Sequence, residues 1–320
     1  MAGLGFEGSG LKRRRLAGSI AALACLAGPL ALASPAAGAP SLHVECLGAP
    51  TAAPTVILES GAFGTADDWA AALPDLAIGG RVCAYDRSGV GRSPKGEDGK
   101  DVIAIATELK RLLDDLGEDK PVILVGHSNG ALYVEAFAAL WPGRVAGLAY
   151  VNGVNSTALA DPRLVADLGR ERQLAEWAAD AGAIGIAALA APSVVKAERL
   201  PPEAARRKAH ALSQPWRLRI ARDEDRGIVP GLATVAGLGG SPPSIPTAAL
   251  ISSLGRTPEL AAAWAAAEAI PAERARCGWV LRAIGATHVS PLSRDRAWLV
   301  AAVDWLRSLP PSSPCADIGH

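Results

Sequence analysis

Five residues, Gly126-His127-Ser128-Asn129-Gly130, have the spacing in which a serine can act as a nucleophile. A glycine two residues away on each side lets the chain make a sharp turn between a strand and a helix. The turn lifts the serine hydroxyl clear of the sheet. The free N–H groups of the following helix then face the negative charge that develops on an attacked carbonyl. The neighbouring sequence supports this setting rather than an ordinary turn: the apolar run Pro121–Val125 ends at Gly126, and a helical stretch from Asn129 stops at Pro142-Gly143. A serine nucleophile needs a base, and the chain has five histidines. His43 lies in an early strand, His127 is inside the turn and expected to point away from Ser128, His210 is in an alanine-rich segment, and His320 is the last residue. His288 follows Gly285-Ala286-Thr287, between the last strand and the last helix. Its neutral imidazole is the expected base, taking the serine proton and returning it to the leaving group. The backbone N–H of Asn129 is the expected first oxyanion donor.

The elements that must hold these residues follow from hydrophobic patterning. Thr55–Leu58, Arg81–Tyr85, Pro121–Val125 and Val145–Val151 are continuous apolar runs, as in strands buried on both faces. Helical patterns lie between them, including one capped by Asp101 and running to about Leu116. The alternation resumes with a strand over Ile245–Ile251, a helix around Glu259–Ala269, a strand over Gly278–Ile284 and a helix over Asp295–Leu309. This order predicts an α/β fold: a mostly parallel central sheet with helices on both faces. Residues 156–243 break the rhythm with alanine-rich, charge-clustered sequence and no clear strand, and are expected to form a helical cap or lid. The core is then expected over residues 40–155 and 244–320. The cap's Trp177 and Trp216, with its Leu and Ala content, suggest an apolar substrate group.

Three blocks resemble the α/β hydrolases in order and spacing. Leu58-Glu59-Ser60-Gly61-Ala62-Phe63-Gly64, followed by Trp69, resembles the oxyanion loop; Tyr85-Asp86-Arg87-Ser88-Gly89-Val90-Gly91-Arg92-Ser93 resembles a loop typical of the family; the third block is the serine turn itself. The resemblance spans residues 43–155 and 245–307 and is nearest to exported bacterial serine hydrolases. It implies Ala62 N–H as the second oxyanion donor, and a structural role for Asp86 and Arg87. It also implies an acid for the histidine, and here the chain departs from the pattern. After the strand over Ile245–Ile251 the first carboxylate is Glu259, which starts a helix; after Val151 stands Asn152, where relatives often carry Asp. Asparagine can accept the imidazole N–H but adds no charge to stabilise the imidazolium. Asn152 is therefore a weak third member, or Asp161 or Glu259 substitutes, or activity is impaired. Cys46 is expected in the strand before the oxyanion loop and Cys83 in the one after it; the resemblance implies that these strands are neighbours, hence a disulfide, leaving Cys277 to pair with Cys315.

The function expected is a serine hydrolase that cleaves an ester-like bond through an acyl-serine intermediate. The alternative is a catalytically impaired hydrolase-fold binding protein. Residues 1–39 read as a signal peptide: Lys12-Arg13-Arg14-Arg15 precede an apolar run, and Ala31-Leu32-Ala33 fits a cleavage site, with Ala37-Gly38-Ala39 a second candidate. A retained anchor is the other reading of that run. A secreted or periplasmic location follows, with no stable membrane association once the signal is cleaved. Lys plus Arg and Asp plus Glu balance at 32 each, which gives no electrostatic reason to expect a nucleic-acid partner. A small-molecule substrate is expected. No metal site, phosphate loop or nucleotide fingerprint appears, so no metal or cofactor is expected.

Overall fold

The computed structural model describes residues 42–96, 99–254 and 256–309. The expected signal peptide and Cys315 lie outside the described residues. Among the described residues seven strands form one sheet: β1 (Val44–Leu47), β2 (Val56–Glu59), β3 (Val82–Tyr85), β4 (Val122–His127), β5 (Val145–Val151), β6 (Thr247–Leu254) and β7 (Gly278–Thr287). Their order is β1-β3-β2-β4-β5-β6-β7. Only β1 is antiparallel; every other neighbouring pair is parallel. This is the mostly parallel α/β sheet that the sequence predicts.

The continuous apolar runs are explained by burial on both faces. Ile57, Leu124, Leu148 and Tyr150 pack on one face under α2 (Val102–Asp115) and α3 (Asn129–Leu140). Val56, Leu58, Ile123, Val125 and Ala149 pack on the other, against α1 (Leu73–Leu76) and α10 (Ala297–Ser308). Each fully buried Val, Leu or Ile contributes roughly 1.5–3 kcal/mol. Asp101 caps α2 as expected, accepting from the N–H groups of Ile103 and Ala104. That satisfies two of the donors a helix start leaves open. Helix α3 is buried along nearly its whole length, as its uniformly apolar sequence predicts.

Between β5 and β6 the chain is helical: α4 (Pro162–Ala183), α5 (Ile186–Glu198), α6 (Pro202–Leu212), α7 (Pro215–Arg226) and α8 (Ile228–Gly237). No single described helix is long and apolar enough to cross a membrane. Helix α9 (Pro258–Arg274) follows β6. The last two strands are longer than the sequence suggests, and β7 delivers the chain directly to His288.

Cys46 and Cys83 form a disulfide across a register pair of β1 and β3. The strand leading into the expected oxyanion loop is β2, however. Cys46 belongs to the edge strand β1, so the bond ties that edge to the sheet.

Candidate active site

Ser128 sits at the junction of β4 and α3 with φ 54° and ψ −126°. A side chain rarely adopts that region, and residues held there cluster at functional sites. The flanking glycines make the turn possible by close approach. A Cβ on Gly126 would lie 2.5 Å from Ala131 Cα, and one on Gly130 would lie 2.5 Å from the Glu59 carbonyl oxygen. The loop after β2 crosses directly over the serine, where a Cβ on Gly61 would stand 2.8 Å from Ser128 Cβ. Ala62, Ser128 and His288 line one cavity of about 580 Å³. Asn129, buried, opens helix α3 immediately after the serine.

His288 is half-buried at the end of β7, and its ring packs against that of His127 with centroids 4.9 Å apart. Burial holds its imidazole well below the usual histidine range, and the neighbouring His127 and Arg256 act in the same direction. Neither the Ser128 hydroxyl nor the His288 ring makes a hydrogen bond to another described residue. His127 does not turn away from this region, as its place in the turn suggested. Its Nε2–H donates to the His288 carbonyl at 3.0 Å, and burial pushes its pKa down to about 4.

Asn152 lies at the end of β5 with φ 48°, buried. Its Nδ2 donates to the His288 carbonyl at 2.8 Å, and its Oδ1 accepts from the Ser252 N–H at 2.7 Å. These partners fix the amide orientation, because a carbonyl only accepts and a backbone N–H only donates. The expected contact with the imidazole ring is absent, since both ends of the amide already hold backbone groups. Neither alternative carboxylate lines the cavity. Asp161 caps α4 and pairs with Arg163; Glu259 is exposed in the first turn of α9.

Several cavity residues carried no sequence signal. Asp68, Glu171, Glu198, Lys208 and Asp225 all line it, mostly from the inserted helices. Lys208 Nζ lies between Asp68 at 2.6 Å and Glu198 at 2.7 Å. Burial pushes Glu171 up to about 7 and Asp225 up to about 6. Glu171, Glu198, Lys208 and Asp225 turn inward because α4–α7 pack over the strand ends, while Asp68 comes from the 3₁₀ turn Ala66–Trp69. Trp177 is exposed, and neither it nor Trp216 lines the cavity. The apolar lining comes instead from residues such as Phe63, Leu174, Leu200 and Leu292. No group of three or more His, Cys, Asp or Glu able to hold a metal occurs among the described residues.

The strand order and the helices that flank the sheet make this an alpha/beta hydrolase fold. A family model described as alpha/beta hydrolase fold matches residues 54–200. Two relatives named as carbamate hydrolase RutD match: that of Variovorax paradoxus is 40% identical over 113 residues, and that of Stutzerimonas stutzeri 36% over 105. Those matches cover 35% and 32% of this chain, and the chain spans only 42% and 39% of the respective relatives' length. Among solved structures, a thermophilic esterase from Thermogutta terrifontis superposes with a TM-score of 0.60 at 22% identity, covering 83% of this chain and 93% of the esterase.

Proposed function

We propose that the chain is a serine hydrolase that cleaves an ester-like bond of a small molecule through an acyl-serine intermediate. The observation that carries this is Ser128 held at φ 54° under the Gly61-Ala62 loop, in a cavity shared with His288. In this reading Ser128 Oγ attacks the carbonyl carbon as His288 takes its proton. The oxyanion is received by the N–H groups of Ala62 and Asn129. His288 then protonates the leaving group, and water releases the acyl group by the reverse sequence. The unbonded His288 ring is able to turn towards Ser128, and such contacts are often loose before substrate binds. Asn152 serves as the anchor of the His288 backbone, so the chemistry runs as a Ser–His pair without a carboxylate on the ring. Ester and carbamate cleavage both begin with attack on a carbonyl, so the names of the relatives are compatible with this mechanism. The Cys46–Cys83 bond supports a secreted or periplasmic location, because disulfides persist in oxidising compartments. Residues 156–243 act as the lid and 1–39 as the export signal.

A second reading, an impaired hydrolase scaffold that binds a ligand, is favoured by the absence of a carboxylate contact to the His288 ring among the described residues. One experiment separates the two: fluorophosphonate labelling of the wild type and Ser128→Ala, with a chain-length series of chromogenic esters. The hydrolase labels at Ser128 and turns esters over, and Ser128→Ala does neither while remaining folded. A wild type that does not label is the binding protein.

A further inference from the structure

We infer that Glu224 and Asp225, consecutive residues of the inserted helix α7, are positioning residues that aim the two halves of the oxyanion hole. This rests on the hydrolase reading above. Glu224 acts through Arg87. The buried Arg87 guanidinium forks onto Glu224, with Nε to Oε1 at 3.0 Å and Nη2 to Oε2 at 2.8 Å. Its other donors reach the loop over the serine: Nη1 to Glu59 and to the Ser60 carbonyl at 2.7 Å, and Nη2 to the Gly61 carbonyl at 3.1 Å. The last contact, together with the Gly64 N–H that donates to the same carbonyl at 3.2 Å, sets the geometry. The Gly61 carbonyl and the Ala62 N–H belong to one planar peptide group, and in a trans peptide they point in opposite directions. Holding the carbonyl towards Arg87 therefore aims the Ala62 N–H the other way.

Asp225 acts on the second donor. Its Oδ1 accepts from Asn129 Nδ2 at 2.9 Å and so tethers the residue whose N–H follows the serine, adding to the Ala131 and Val154 N–H groups that hold the Ser128 carbonyl of the same peptide at 3.1 and 3.0 Å. Both contacts are buried, so they are little weakened by solvent. The inserted helix thus grips the hole at both ends through adjacent side chains. An oxyanion hole works because its donors are fixed before charge develops, and removing one donor outright costs about 10²–10³ in rate. A misaimed donor costs less, roughly 10–100-fold, and the loss falls on the transition state rather than on substrate binding.

The test compares the wild type with Glu224→Gln, Asp225→Ala and Asp225→Asn. Active sites are counted by fluorophosphonate titration, then kcat and KM are measured with a chromogenic ester, together with affinity for a phenylboronic acid. The boronate forms an anionic tetrahedral adduct on serine and so reads the hole directly. Glu224→Gln and Asp225→Ala are expected to lose about 10–100-fold in kcat per titrated site, with KM within about twofold and boronate affinity falling in parallel. Asp225→Asn keeps an acceptor for the Asn129 amide and should recover part of the loss. If Glu224→Gln does not fold, because one partner of a buried pair is gone, the two Asp225 variants decide. Wild-type kcat and boronate affinity in Asp225→Ala overturn the inference. So do a rise in KM alone, or an Asp225→Asn no better than Asp225→Ala. A wild type that never labels at Ser128 overturns the hydrolase reading and this inference with it.

Discussion

Asn152 holds His288 by its backbone: the amide Nδ2 donates to the His288 carbonyl at 2.8 Å, on the side opposite its bond from Ser252. Sequence logic alone makes Asn152→Asp a gain, because a carboxylate on the imidazole would stabilise its charged form. The contact reverses that expectation. An aspartate cannot donate, so it would set a buried carboxylate against a carbonyl oxygen and release the histidine loop. Asn152→Asp is expected to lower kcat by tenfold or more, about 1.4 kcal/mol in the barrier, and to lower the melting temperature. Steady-state kinetics on the folded variant checks this. A tenfold rise in kcat would mean that the side chain reaches the ring instead.

Gly61→Ala should nearly abolish activity while leaving most of the fold. The new Cβ would stand 2.8 Å from Ser128 Cβ and 3.1 Å from the His127 carbonyl oxygen, so the loop must lift away from the serine. Lifting it removes the Ala62 N–H from its proposed place in the oxyanion hole, a loss of about 10²–10³ in kcat. Rates of fluorophosphonate labelling and of ester turnover should fall together, with circular dichroism unchanged. A variant that labels at the wild-type rate would place the oxyanion donors elsewhere.

The acid limb of the activity profile should lie below the ordinary histidine value. In the proposed mechanism the base is the neutral His288 imidazole, and burial lowers its pKa well below 6.5. As pH falls from 7 the ring therefore stays neutral through 6.5, and kcat/KM is retained until its lowered pKa is reached. A kcat/KM profile from pH 4 to 8 with its acid midpoint at or above 6.5 would show a ring that is solvated or paired with a carboxylate.

Glu268 should make stability fall as pH rises. It is buried in α9 near Arg256, and burial pushes its pKa from 4.5 up to about 8. A carboxyl whose folded pKa is raised contributes stability that is fully present below 4.5 and is lost as pH climbs through about 8. Glu268→Gln removes that titration. Urea unfolding should show a smaller drop between pH 5 and pH 9 in the variant than in the wild type, by on the order of a few kcal/mol. Parallel pH dependences in the two proteins would refute the assignment.

Much of this molecule is determined by residues close together in the chain. The strands are legible because burial on both faces demands unbroken apolar runs such as Val122–Val125, and α2 because Asp101 satisfies its first N–H groups. The serine turn is legible because two glycines and one serine must meet within five residues. The partners of those residues come from distant segments, and only the tertiary structure decides them. Asn152 contacts the backbone of His288, 136 residues away, and a sequence shows which side chain stands at a position, not which atom of a remote residue it reaches. Glu224 and Asp225 read as ordinary surface charge on α7 until that helix packs over Arg87 and Asn129. Local pattern sets secondary structure because its hydrogen bonds and burial periods are short-range. Which charges end up buried around Ser128 depends on how the inserted helices dock, and no short-range pattern encodes that.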